Sequence, residues 1–253
     1  MTKKLWQASL NQKKNSNLFK FEKYISKEFN KKFDNDFQKI LDWSIKNSSK
    51  FWSSFWDFTK INGTKSSKNI KKSKVFYKNL FLPGSKLNFA NNLLATNSKK
   101  KAVTFISENG FREERDWQKL NHNTNKLVQF LKNKKIRQKD RIAAYMPNTI
   151  ETVEAFISVT AIGAIWSSCS PDFGVKGVIE RYSQINPKIL FITDQYFYNG
   201  KQINIIDRLP DILRAIPSIK NVIVTNYPGK SPIKCKKKIR KIKIISWAEL
   251  MKV

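Results

Sequence analysis

Histidine and cysteine are almost missing. His122 is the only histidine in 253 residues, and Cys169 and Cys235 are the only cysteines. A cysteine nucleophile needs a base, and His122 lies in a polar stretch of a predicted helix, where it reads as an exposed surface residue. Cys169 accordingly reads as a small buried thiol. The two cysteines form neither a metal-ligand pattern nor a disulfide framework, which fits a reducing, cytoplasmic setting. Acidic residues are also scarce, 19 against 49 Lys+Arg. No paired carboxylates with a helical or strand partner stand out, and Glu113-Glu114 reads as a solvated hairpin strand. No apolar run approaches the ~18 residues of a membrane span, and Met1–Leu10 has no stretch long enough for a signal peptide. The GxGxxG fingerprint does not occur. Gly229-Lys230-Ser231 ends like a phosphate loop, but the glycine required five positions earlier is Val224, which rules it out.

What is present argues for a folded protein. Hydrophobic residues make up 40% of the chain, with 18 Phe, 7 Trp and 7 Tyr, a composition that can bury a sizeable core and is unlike that of a disordered chain. The length suits one large or two small domains. The net charge of +30 raises nucleic acid or an anionic membrane surface as a partner. The charge is spread along the whole chain, mainly as Lys interleaved with Asn, and reads chiefly as a compositional bias with a secondary electrostatic consequence. No RNA- or DNA-binding motif supports a nucleic-acid partner, and the aromatics follow core periods rather than an exposed stacking surface.

The pattern changes along the chain. Residues 1–90 read as helical and irregular. Leu18, Phe21, Ile25, Phe29 and Phe33 recur at three- or four-residue steps, continued by Phe37, Ile40 and Leu41. In Phe51-Trp52-Ser53-Ser54-Phe55-Trp56-Asp57-Phe58 the pairs Phe51/Phe55 and Trp52/Trp56 sit one helical turn apart. That much aromatic area must be buried, and a core-packing helix is preferred over a docking face. Residues 62–74 read as a linker. From about residue 100 the pattern predicts a hairpin, 102–107 and 111–115, turning at Glu108-Asn109-Gly110. Asp116 is the expected N-cap of a helix carrying Trp117, Leu120, Thr124, Leu127, Val128 and Leu131 on one face. Short apolar strands (142–146, 164–168, 188–193, 221–226, 242–246) then alternate with helices (150–161, 175–185 and around 203–216). Such alternation predicts an α/β fold with a parallel sheet covered on both faces.

The informative segment runs from the end of a helix through a buried strand into a glycine-punctuated loop: Gly163-Ala-Ile-Trp-Ser-Ser-Cys-Ser-Pro-Asp-Phe-Gly-Val-Lys-Gly177. Such a loop lies at the carboxyl end of a parallel strand, where open α/β sheets bind ligands, and Gly174 would let a ligand approach the backbone closely. Together with Arg141-Ile-Ala-Ala-Tyr-Met-Pro-Asn148, Glu151-Thr-Val153, Tyr182, Gln184-Ile185, Pro187-Lys188, Leu190-Phe191 and Tyr196-Phe-Tyr-Asn-Gly-Lys201, it is very similar to acetoacetate–CoA ligases of the acyl-adenylate-forming superfamily. Leu5-Trp6, Ser16-Asn17, Phe51-Trp52, Trp56-Asp-Phe58 and Leu82-Pro-Gly-Ser-Lys-Leu-Asn-Phe-Ala90 extend the resemblance over nearly the whole chain. The Ser-Ser-Cys-Ser-Pro-Asp-Phe-Gly and Tyr-Phe-Tyr-Asn-Gly-Lys runs separate the acetoacetate branch from acetate–CoA ligases.

The resemblance implies a helical N-terminal region, 1–90, followed by the first, incomplete part of an AMP-binding domain, 91–253. It implies a two-step reaction in the intact enzyme. Acetoacetate attacks the α-phosphate of ATP, giving an acyl-adenylate and pyrophosphate, and the CoA thiol then displaces AMP, with Mg²⁺ and positive groups stabilising charge on phosphate. It carries over part of the CoA side: the loop Asp172, Phe173 and Gly174 against the CoA arm, and Lys201 on the CoA phosphates. Tyr198 stands where acetate–CoA ligases have a second basic residue, and Asn91 departs from an expected acid. No catalytic or metal-binding residue carries over. The phosphate loop, adenine strand, hinge and catalytic-lysine domain of the resemblance come later than Val253. The expectation is therefore a chain inactive alone, with the rest of the enzyme encoded directly downstream or separately. The competing expectations are a non-catalytic interaction domain that keeps a CoA loop, and a basic nucleic-acid-binding protein.

Overall fold

The computed structural model describes residues 5–68 and 70–252. The chain divides into two compact units, Met1–Leu87 and Asn88–Val253.

In the first unit, Ser9 opens α1 (Leu10–Asn15) through a capping box with Gln12, satisfying end donors that the helix cannot pair itself. Ser16 ends α1 and caps α2 (Asn17–Phe29), its Oγ accepting from the Phe19 N–H at 3.1 Å. The apolar period does not continue as one helix. Asn30, Asp34 and Asn35 all take positive φ, which short polar side chains tolerate better than other non-glycine residues. Asp36 then starts α3 (Phe37–Lys46) by accepting from the Gln38 N–H at 2.8 Å. The aromatic run forms α4 (Ser48–Phe58) and packs within its own unit. Phe21 meets Phe51 edge-on at 5.7 Å and Phe58 at 5.1 Å, beside Ile25, Phe33, Ile40 and Trp43. The stretch expected to be a linker is tied down. Ile70 N–H donates to Ser49 Oγ at 3.1 Å, and Lys65 reaches Asp57 and the Ser53 carbonyl. Its β1 (Gly63–Thr64) pairs antiparallel with β2 (Lys86–Leu87). A Cβ on Gly63 would stand 2.5 Å from the Lys86 carbonyl oxygen, so this pairing needs glycine.

The second unit begins with α5 (Phe89–Leu93). The hairpin β3 (Lys101–Ile106) and β4 (Arg112–Asp116) follows, and then α6 (Trp117–Asn133), capped by Asp116, which accepts from the Lys119 N–H at 2.6 Å. Five parallel strands make the sheet: β5 (Arg141–Tyr145), β6 (Ile165–Cys169), β7 (Ile189–Thr193), β10 (Asn221–Thr225) and β11 (Lys243–Ser246), in the order β11-β10-β7-β5-β6. Helices α7 (Ile150–Ala161) and α8 (Val175–Ile185) make the crossovers β5 to β6 and β6 to β7. Alternate residues of β5 face opposite layers. Ile142 and Ala144 pack with Leu127 and Leu131 of α6 and Ala155 and Val159 of α7. Ala143 and Tyr145 pack with Val178 and Tyr182 of α8 and with Leu209, Ile212 and Leu213. A parallel sheet buried on both faces reads as continuous apolar strands, as Ile189–Thr193 does, being buried at every position.

One predicted element is corrected. The helix expected around 203–216 is shorter, α9 (Leu209–Ala215), and a 3₁₀ turn, Ile206–Arg208, precedes it. Residues 195–204 form a hairpin, β8 (Gln195–Tyr198) and β9 (Lys201–Asn204), turning at Asn199 and Gly200, both at positive φ. That is the signature of a two-residue turn whose twist matches its strands. A short helix α10 (Trp247–Leu250) follows β11. No helix among the described residues is long and apolar enough to cross a membrane.

Candidate functional site at the carboxyl ends of the sheet

The chain leaves β5 toward β6 and leaves β7 toward β10, on the opposite side. The reversal opens a crevice at the carboxyl ends of β5 and β7, the place where open α/β sheets take ligands. A cleft of about 430 Å³ lies at this end, walled by three segments. Met146, Pro147 and Asn148 follow β5. Ser168 and Cys169 end β6, and Ser170, Pro171 and Asp172 follow it; the strand expected to be buried lies at the sheet's edge, and of its five residues only Cys169 is buried. Tyr196, Phe197 and Tyr198 come from β8, and Thr152 of α7 completes the wall.

A buried anchor holds the loop 170–174. Tyr145 Oη donates to the carbonyls of Pro171 and Phe173, and Arg208 Nη1 donates to the same two carbonyls at 3.1 Å each and to Tyr145 Oη. Charged donors on carbonyl groups make hydrogen bonds stronger than neutral ones. Burial pushes the Tyr145 phenol above its ordinary pKa, although Arg208 opposes the shift. Tyr182, from α8, donates to the Ala144 carbonyl, and burial raises its pKa. Neither phenol is a proton donor or base at neutral pH; both are fixed hydrogen bonders. The Tyr196 phenol is also raised, first by burial and then by the Asp172 carboxylate.

The four residues that the resemblance assigns to CoA have different surroundings. Asp172 is exposed on the cleft wall. Phe173 is half-buried behind it, with the Arg181 guanidinium 4.5 Å above its ring. Gly174 is the exposed N-cap of α8 at φ −66°, a conformation open to any residue, and the space where its Cβ would point is empty to 4 Å. Lys201 is exposed at the start of β9, the register partner of Tyr198, and is not part of the cleft wall. The structure thus brings Asp172 and the Tyr198 end of the hairpin to one cleft and puts Lys201 beside its rim. His122 is exposed and Cys169 is buried, as expected.

Sequence reasoning missed three groups. Tyr145 sits in a run already singled out, yet its role needs the fold. Arg208 carries no local signal. Asp194 is fully buried one residue past β7 and accepts from the N–H groups of Tyr227 and Ile233, each at 2.9 Å, holding the chain that leaves β10. The expectation of no paired carboxylates is also overturned. Glu151 and Glu154 lie one helical turn apart on α7. Glu154 is completely buried, accepts from Asn123 Nδ2 at 2.8 Å and Arg115 Nε at 3.1 Å, and has its other oxygen unpartnered. Burial pushes its pKa up to about 7. Arg115 also binds Glu113 at 2.6 Å, so the hairpin acid expected to be solvated is half-buried in the same network.

The cleft wall is mostly uncharged, with Asp172 its one carboxylate. Asn148, Thr152, Ser168, Ser170 and Tyr198 offer hydroxyl and amide groups along walls of Met146, Pro147 and Phe197, the mixture expected of a small-molecule site. It does not suit a metal, for no group of three His, Cys, Asp or Glu among the described residues could hold one.

The comparisons with known proteins agree with this architecture. The family model described as AMP-binding enzyme matches residues 92–243. An acetoacetyl-coenzyme A synthetase of Rhizobium meliloti (strain 1021) is 31% identical over 227 residues, covering 90% of this chain and 34% of that protein. An acetoacetyl-CoA synthetase of Gallus gallus is 32% identical over 201 residues, 76% of this chain and 29% of that one. A malonamoyl-CoA synthetase of Penicillium aethiopicum is 28% identical over 228 residues, 87% of this chain and 31% of that one. The solved structure of acetoacetyl-CoA synthetase from Streptomyces lividans superposes with a TM-score of 0.88 at 22% identity, over 100% of this chain and 38% of that one, a likeness of fold. The chain spans about a third of the length of the curated relatives it matches. With its family model covering 92–243 and its parallel sheet intact over that range, the chain belongs to the AMP-binding enzyme family.

Proposed function

We propose that this chain is the N-terminal, CoA-side portion of an acetoacetate–CoA ligase and does not form an acyl-adenylate by itself. One observation carries the reading. The two runs that distinguish the acetoacetate branch, Ser167–Gly174 and Tyr196–Lys201, are distant in sequence, yet both contribute walls to the same cleft. A shared cleft at a sheet's switch point is where a ligand would select both.

In this reading CoA supplies the thiol that accepts the acyl group. Its pantetheine amides lie along Asn148, Ser168 and Ser170, with Asp172 at the wall and Phe173 and Gly174 behind it. Tyr145 and Arg208 hold that loop rigid, so little ordering entropy is spent when the arm docks. Lys201 at the rim meets the CoA phosphates as a mobile point charge. ATP, acetoacetate and Mg²⁺ belong to the whole enzyme. The residues that the resemblance gives to ATP and to the catalytic lysine are not among these 253, so adenylation is assigned to a further part of the protein or to a separately encoded partner.

The test is a pair of half-reactions. The 253-residue chain with acetoacetate, Mg²⁺ and ATP releases no pyrophosphate above background; clear turnover by the pure chain would sink the reading. In a completed ligase, Lys201→Ala raises KM for CoA and leaves ATP–pyrophosphate exchange nearly unchanged. A single well-formed charged contact is worth roughly 1.5–3 kcal/mol, and exposure lowers it, so a rise of about three- to tenfold is expected. Equal loss in both half-reactions would make Lys201 structural.

A further inference from the structure

Residues 70–81 of the first unit form an ordered loop with an unusual tip. The Lys71 and Leu80 main chains exchange two hydrogen bonds of 3.0 Å, and Asn79 Oδ1 accepts from the Ser73 N–H at 2.7 Å. A 3₁₀ turn, Phe76–Lys78, closes the end. This built turn holds two aromatic side chains in water: Phe76 is 85% exposed and Tyr77 81%. Leu80 and Phe81 are also exposed, and beside the tip a groove of about 410 Å³ opens between the loop and α3–α4, lined by Ile45, Phe51, Trp52, Phe76, Phe81 and Lys72 among others. Contiguous exposed apolar surface of this kind marks an interaction site.

The charge around it has one sign. Between Asp57 and Leu87 the sequence has eight lysines and no acid, and no arginine occurs before Arg112. Lys71, Lys72, Lys74 and Lys78 fall within the loop and are exposed. Apolar groups surrounded by lysines complement an anionic lipid bilayer. The aromatic tip enters at headgroup level, where Tyr keeps its hydroxyl in water, and the ammonium groups meet lipid phosphates and carboxylates. Single-stranded nucleic acid fits less well. It favours aromatic platforms flanked by Arg, whereas this tip is continued by Leu80, Phe81 and an apolar groove.

We propose that residues 71–81 are an interfacial docking loop for anionic lipid bilayers, with Phe76 and Tyr77 as the inserted anchor. The proposal is independent of the CoA reading. The test is cosedimentation of the 253-residue chain at physiological salt with vesicles of phosphatidylcholine containing about one quarter phosphatidylserine, beside pure phosphatidylcholine vesicles and a uniform single-stranded oligonucleotide. The expected result is binding to the anionic vesicles, at least about tenfold weaker on the neutral ones. Phe76→Ser with Tyr77→Ser lowers it at least about tenfold, Phe76→Trp retains it, and removing Lys74 or Lys78 costs up to about fivefold each. Lys99→Ala with Lys100→Ala, equal charge placed elsewhere, changes it much less. No binding to anionic vesicles overturns the proposal. So does binding that the Phe76/Tyr77 pair does not alter, which would be charge attraction alone. Oligonucleotide binding through the same loop without vesicle binding also overturns it, in favour of nucleic acid.

Discussion

Glu154 is a carboxyl group with no exposed surface, two donors on one oxygen and no protein donor on the other. Losing hydration costs more than Arg115 and Asn123 return, so its pKa rises from 4.5 to about 7, and Glu151, half-buried on the same helix, is shifted the same way by its own burial. The folded state therefore holds a proton that the unfolded chain releases. The stabilising contribution of that proton is complete below about pH 4.5 and is lost as pH rises toward 7 and above. Glu154→Gln keeps the shape and cannot ionise. Urea titrations should show wild-type stability falling relative to the variant between pH 5 and 8, by of order 3 kcal/mol at most. Parallel curves would show that the group does not titrate there. At the cleft, Tyr145→Phe removes the hydroxyl shared by the Pro171 and Phe173 carbonyls and Arg208, leaving Arg208 alone to hold the two carbonyls. A loss of roughly 1–3 kcal/mol is expected by denaturant melting, with faster amide exchange at 171–174; unchanged exchange would mean the loop is held by other contacts.

Among the elements, those with a clear period were readable in advance: the helix over 117–133, the crossover helices and the apolar strands all form. Three elements were not, for physical reasons visible in particular residues. The run Phe29–Phe33–Phe37 keeps helical spacing, but Asn30, Asp34 and Asn35 turn the backbone left-handed, and a period cannot register local caps. The hairpin 195–204 carried its own signal, Asn199-Gly200, identical to the Asn109-Gly110 pair used correctly at 107–111. The Ile and Leu residues from 203 onward favoured a helical reading instead. Residues 62–74 have a linker's composition, and their ties to Ser49, Ser53 and Asp57 depend on side chains no composition reveals. Gly200 sits at φ +70° with empty space around its missing Cβ, so Gly200→Val tests backbone strain without a clash. About 1–2 kcal/mol of destabilisation is expected, read as a lower melting temperature. A neutral outcome would mean the turn adopts another form. The cleft was legible only as two motifs; that they share a wall follows from the crossover past β5, and Tyr145 and Arg208 become partners only once β5 and the 3₁₀ turn after β9 are in place.

At the scale of the whole molecule, a chain spanning about a third of its relatives' length carries five parallel strands, a cleft at their carboxyl ends that we propose takes CoA, and a net charge of +30. Such charge attracts any polyanion, CoA included, so affinity alone is a poor witness; the position of binding decides. The most direct measurement is hydrogen–deuterium exchange of the 253-residue chain with and without CoA at moderate salt, which screens nonspecific attraction. The account predicts slowed exchange confined to 146–148, 168–174 and 196–201, weakened in Lys201→Ala and absent with pantetheine-free phosphate. Protection spread over the lysine-rich surfaces, or none at the carboxyl ends of β5, β6 and β8, would contradict it.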